Sequence, residues 1–120
     1  MSRGIAGRIE LILNIENVSL GIDHAIPCGL IINELITNCL KHAFPGDRNG
    51  EIKVSAHRDD ENMIELIFSD NGVGIPSNID FRNTQSLGLH LVTILVQDQL
   101  NGKIDLDRTR GTEYKIMFKG

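Results

Sequence analysis

Residues 33–43 read Asn33-Glu34-Leu35-Ile36-Thr37-Asn38-Cys39-Leu40-Lys41-His42-Ala43, and the fold is decided there. The spacing predicts a helix from about Pro27 to Ala43. At helical periodicity Ile32, Leu35, Ile36, Cys39, Leu40 and Ala43 share one broad arc, the expected core face. Glu34, Asn38 and Lys41 share the opposite side, within an arc of roughly 60° at 3.6 residues per turn. An acid, an amide and an ammonium therefore stand above one another. A solvated face with an ion pair accounts for this pattern. So does a Mg²⁺-phosphate site. The amide oxygen of Asn38 would be a hard-cation ligand, the Lys41 ammonium would offset phosphate charge, and the Glu34 carboxylate would orient water. The helix by itself leaves both open.

Upstream, Arg8 to Glu16 alternates as a strand, and Val18 to Ile22 could add a short second one. Asp23 is a plausible helix cap, and Pro27 suits a first helical turn. Downstream, Pro45-Gly46-Asp47 ends the helix and Asn49-Gly50 reads as a turn. Glu51 to His57 and Met63 to Ser69 alternate as two strands around a solvated turn at Asp59-Asp60-Glu61-Asn62. Asp70 to Ser86 lacks sustained periodicity and reads as a loop. Leu87 to Leu100 is a second helix, stopped at Asn101-Gly102. Strands Lys103 to Asp107 and Thr112 to Phe118 close the chain around Arg110-Gly111. The order βαββ-loop-αββ predicts an α+β fold, a two-layer α/β sandwich. Its mixed sheet would have about five strands, with helices on one face.

Two glycine elements punctuate this order. Asp70-Asn71-Gly72-Val73-Gly74-Ile75-Pro76 follows directly on an alternating strand, so Asp70 sits where the strand ends. Glycines at this spacing let a ligand approach the backbone. A carboxylate there accepts hydrogen bonds only: it suits the exocyclic amine of adenine and is repelled by the carbonyl oxygen of guanine. A plain Asp-Gly turn is the alternative. Ser86-Leu87-Gly88-Leu89 leads into the second helix, where free N–H groups could bind an anion, or where glycine merely packs. Gly111-Thr112, entering the last strand, is the least informative element alone.

Bulk composition sets the limits. With 120 residues, 41% hydrophobic and 23% charged, the chain is one domain able to close a core. A net charge of −4 argues against nucleic acid as the main partner. No apolar run approaches the roughly 20 residues that would span a membrane, and the start carries no signal-peptide pattern. Cys28 and Cys39 lack metal-type spacing and read as small apolar fillers in one helix, as suits a reducing cytoplasm. The opening, Met1 to Gly7, is abrupt, and the chain reads as a piece of a longer protein.

Taken together these elements resemble the catalytic ATP-binding domain of sensor histidine kinases. That domain sits in the superfamily that also holds gyrase, heat-shock chaperone and mismatch-repair ATPases. Residues 33–43 look like its N box, Asp70-Asn71-Gly72-Val73-Gly74 like its G1 box, Leu87-Gly88-Leu89 like its G2 box, and Gly111-Thr112 like its terminal GT element. Order and spacing match from about Ile26 to Phe118, and the short loop before LGLHLV resembles the subgroup with a reduced lid. The resemblance implies ATP and Mg²⁺ as ligands. Asn38 would hold the metal, Lys41 a phosphate, and Asp70 the adenine. Gly72, Gly74 and Ile75, with Leu87, Gly88 and Leu89, would flank the nucleotide, His42 would line the pocket, and Thr112 would support Asp70 directly or through water. Glu34 matches the acid that activates water in hydrolytic relatives. The pattern departs at Gln85-Ser86, where many members carry a further glycine. Phe81 is the candidate for the lid phenylalanine.

The resemblance further implies γ-phosphoryl transfer to a histidine on a separate dimerisation and phospho-acceptor domain, with a response regulator downstream. None of His24, His42, His57 or His90 lies on an amphipathic helix beside an acid, as an acceptor would. The acceptor is expected on a missing part of the same protein. Two other functions fit the same boxes: a stand-alone anti-sigma-type serine kinase, and an ATP-binding regulatory module without transfer.

Overall fold

The computed structural model of the chain describes residues 9–16, 18–40, 49–72, 89–107 and 111–120. In chain order they form β1 (Ile9–Glu16), α1 (Ile22–Asn38), β2 (Gly50–Arg58), β3 (Met63–Asp70), α2 (Leu89–Ile94), β4 (Lys103–Asp107) and β5 (Thr112–Lys119). Helix α2 runs on as a π-helical turn, Leu95–Gln99. The strands make one mixed sheet in the order β1-β2-β3-β5-β4. Only β1 and β2 are parallel; that pairing needs a crossover, and α1 lies within it. The expected α+β sandwich is what the chain adopts.

Period-two alternation builds the inner face. Ile52, Val54 and Ala56 of β2, Ile64, Leu66 and Phe68 of β3, and Tyr114, Ile116 and Phe118 of β5 are all buried. The residues between them face outward and are mostly polar. There Glu65 lies 3.5 Å from His57 Nε2 and 3.9 Å from Lys115 Nζ. The helices cover the inner face with one stripe each: Cys28, Ile31, Leu35 and Cys39 from α1 and the turn after it, and Val92, Leu95, Val96 and Leu100 from the second helical segment. Burying a stripe of this kind is the main stabilising term of such a domain. β1 is an edge strand, and its Leu11, Leu13 and Ile15 are exposed although they share the inner face with Ile52, Val54 and Ala56.

Five expectations change. Val18 to Ile22 forms no strand; Val18 and Leu20 pack against the core, and the helix already begins at Ile22. Gly21 is its N-cap, and the Gly21 carbonyl accepts from the N–H groups of His24 (3.1 Å) and Ala25 (2.9 Å). Asp23 is therefore a first-turn acid facing the positive end of the helix, not the cap. Pro27 lies inside the helix and is buried; its missing N–H affects one bond only, to the carbonyl of the exposed Asp23. Leu40 is 56% exposed, because the buried stripe centres on Ile31, Leu35 and Cys39 and the next residue turns away from it. At the end of the second helix Asn101, with φ 51°, takes the left-handed position expected of Gly102. Gly102 is required for another reason: a Cβ there would overlap the Met117 carbonyl oxygen.

The β2–β3 turn is held by one carboxylate. Asp59 Oδ1 accepts from the N–H groups of Glu61 (2.8 Å) and Met63 (2.9 Å). Asn62, at φ 64°, then ties the turn to the chain end, donating from its amide to the Gly120 carbonyl at 2.8 Å. Asp59→Ala is expected to lower stability by about 1 kcal/mol, the usual worth of such bonds. A urea midpoint that does not move would show that water replaces the carboxylate fully.

Candidate functional site

Asp70 is the last residue of β3, in phase with Ile64, Leu66 and Phe68, so the alternation that builds the core also turns its carboxylate inward. The side chain is 7% exposed. Its Oδ1 accepts from the Gly72 N–H at 2.8 Å, an Asx turn that bends the chain away from the strand. Its Oδ2 accepts from the Cys39 thiol at 3.1 Å. The next residue is anchored to β2: Asn71 Oδ1 accepts from the Glu51 N–H at 2.9 Å, and the Asn71 N–H donates to the Glu51 carbonyl at 3.3 Å. The start of the glycine loop is thus tied to α1's end, to β2 and to its own backbone.

Opposite Asp70, at the matching position of β5, stands Thr112, 4% exposed. Before it Gly111 adopts φ 84°. A Cβ at Gly111 would run into the Asp70 carbonyl oxygen and come within 3.2 Å of Asn71 Cα. The Gly-Thr pair therefore lets β5 press against the backbone that carries the carboxylate.

On α1, Glu34 and Asn38 are half-buried and one helical turn apart, on one flank of the buried stripe. Asn38 directly precedes the residue that bonds Asp70. Its amide nitrogen is buried with no hydrogen-bond partner among the described residues. A buried amide without a partner carries a desolvation penalty that a ligand would relieve. Amide nitrogen and oxygen are interchangeable by a flip, so the same place can offer a neutral oxygen. An amide oxygen beside a carboxylate is a donor set that fits Mg²⁺, which takes few protein oxygens and completes its shell with water and phosphate.

Cys39 was the residue that sequence reasoning undervalued. Burial chiefly, and then the charge and hydrogen bond of Asp70, push its thiol well above the usual range, so it stays an S–H donor. Burial also pushes the Cys28 thiol up, from 9.0 to about 11. Cys39's burial was readable from its place on the helix; its partner, 31 residues away, was not. The structure thus brings together Cys39, Asp70, Gly72 and Thr112, with Asn38 next to Cys39 at the end of α1 and Glu34 one turn back. Lys41, His42, Gly74, Ile75, Phe81, Leu87 and Gly88 lie outside the described residues, and Leu89 opens α2.

A cleft of about 490 Å³ also touches this end of the sheet. Asp70 and Thr112 line it, with Glu51, Lys53, Asp107 and Glu113. No residue of α1 takes part, and carboxylates dominate the lining, so it does not suit a triphosphate. Among the described residues no helix is long and apolar enough to cross a membrane.

Residues 23–119 match the family of histidine kinase-, DNA gyrase B- and HSP90-like ATPases. The chain belongs to this family. It is 32% identical over 94 residues to the sensor histidine kinase PdtaS of Mycobacterium tuberculosis, a match covering 76% of this chain and 19% of that protein. Among solved structures, the histidine kinase domain of the Erythrobacter litoralis EL346 blue-light activated histidine kinase superposes with a TM-score of 0.83 at 30% identity. That match covers 93% of this chain and 55% of that one. The serine-protein kinase RsbW of Listeria innocua is 31% identical over 83 residues, covering 58% of this chain and 52% of RsbW. The chain spans about a fifth of the length of the sensor kinase it matches.

Proposed function

We propose that this chain is the catalytic part of a longer cytoplasmic sensor kinase. It would bind ATP with Mg²⁺ and present the γ-phosphoryl group to a histidine on a separate phospho-acceptor domain, serving a response regulator. The observation that carries this reading is the inward carboxylate of Asp70, buried at a strand end and fixed by donors on both oxygens.

In this reading Asp70 accepts the exocyclic amine of adenine, and Gly72 allows the base close to the backbone. Asn38 and Glu34 are the described residues that would face the metal, with Lys41 supplying charge at the phosphates. Bound Mg²⁺ would neutralise charge on the phosphate oxygens and orient them. A histidine ring nitrogen attacks the γ-phosphorus, the bond to the β-phosphate oxygen breaks, ADP departs and the ring proton is lost. The transfer needs positioning more than covalent help from this domain. Half-burial of Glu34 fits a carboxylate kept from activating free water.

Titration calorimetry with a non-hydrolysable ATP analogue tests the binding step. Binding is expected to need Mg²⁺ and to weaken about tenfold in Asn38→Ala, the scale of one lost charge-assisted contact. Binding indifferent to both Mg²⁺ and Asn38 would sink the metal assignment. The similarity to RsbW favours one second reading, transfer to a serine. Acid lability separates the products: a phosphohistidine is lost in acid, and a phosphoserine survives.

A further inference from the structure

The thiol of Cys39 is the described side chain that joins α1's end to the carboxylate of Asp70. Both residues are buried, at 5% and 7% exposure, and the bond is 3.1 Å long. The Gly72 N–H holds the other oxygen at 2.8 Å. A carboxylate held by only one donor can turn about its last bond; donors on both oxygens fix its plane. A thiol is also a weak donor. It takes one lone pair of Oδ2 without quenching it, so that oxygen can still accept strongly from a ligand. The preceding residue is Asn38, whose buried amide nitrogen has no partner among the described residues. One stretch of helix therefore carries both the group that aims the carboxylate and a buried amide nitrogen without a partner among the described residues.

We propose that Cys39 is a positioning residue that sets base selectivity: its thiol aims the Asp70 carboxylate so that it accepts an exocyclic amine and rejects a carbonyl. The preferred ligands are then adenine over guanine nucleotides. This rests on the assignment of Asp70 to the base and adds the group that orients it.

The test compares wild type, Cys39→Ala and Cys39→Ser, titrated with non-hydrolysable ATP and GTP analogues in Mg²⁺. Cys39→Ala is expected to bind the ATP analogue about fivefold more weakly, the effect of one ordinary hydrogen bond. Its preference for ATP over GTP is expected to narrow by a similar factor. Cys39→Ser keeps a donor and is expected to stay within about twofold of wild type in both respects. A thiol that only fills space predicts equal losses in both variants with an unchanged ATP-to-GTP ratio, and that result overturns the proposal. Wild type that binds neither analogue defeats the nucleotide assignment and this inference with it. Wild type that binds selectively, beside an equally selective Cys39→Ala, defeats this inference alone.

Discussion

Gly111→Ala is expected to lower stability by about 1–3 kcal/mol, from the backbone conformation alone. An L-residue at φ 84° is strained wherever it stands. Here the new methyl also meets the Asp70 carbonyl oxygen and Asn71, neither of which can swing aside as a flexible side chain could. Relief requires β5 and the end of β3 to separate, and that displaces the carboxylate. Stability and nucleotide affinity should therefore fall together. Gly29→Ala is the matching control. Gly29 lies on the exposed side of α1 with open space where its Cβ would go. Alanine there is expected to stabilise by up to about 1 kcal/mol, the helix-propensity difference, and to leave affinity alone. Urea melts of the two variants check this. If Gly111→Ala melts like wild type, the close approach of β5 to Asp70 does not exist in solution.

Asp70→Ala is expected to weaken the ATP analogue by about 100-fold, at the upper end for a hydrogen bond to a charged group. The loss should fall on binding more than on folding. A buried carboxylate is expensive to keep, and its removal offsets part of what the Cys39 and Gly72 donors lose. Asp70→Asn separates charge from shape. It retains one acceptor oxygen but adds an amide donor, which can meet the guanine carbonyl that the carboxylate repels. Its preference for ATP over GTP should shrink while the melting midpoint stays close to wild type. Competition titration reads both quantities. Retained affinity and retained preference in both variants would remove Asp70 from the base-binding role.

Much of this fold was legible because β2, β3 and β5 each have one wet and one dry face, which writes a period of two into the sequence. The boxes were legible for a related reason. Asp70 falls at the last inward position of an alternating strand, and Asn38 at a fixed step from the buried stripe of α1. What the sequence hid depended on tertiary contact. Val18 and Leu20 look like strand residues, but they serve as apolar contacts ahead of the helix. Pro27 reads as a helix start because interior prolines are unfavourable. Near the N-terminus, with the ring buried, the penalty is small enough for the helix to begin five residues earlier. The π-helical turn at Leu95–Gln99 has no sequence pattern of its own. The thiol bond to Asp70 joins two segments that no local rule connects.

The ladder between β3 and β5 runs without a bulge from Met63 opposite Lys119 to Asp70 opposite Thr112. That continuity bears on which changes of length the chain can accept. Losing one residue from the middle of β5 would reverse the facing of every position on one side of the gap, exposing either Tyr114 and Thr112 or Ile116 and Phe118. Losing two would restore the facing but slide Gly111 away from the Asp70 carbonyl that it must clear. The strand pair thus acts as a gauge of fixed length, and insertions or deletions are better borne at the exposed Asp60-Glu61 turn. Between those ends the chain can vary its side chains, but not its count.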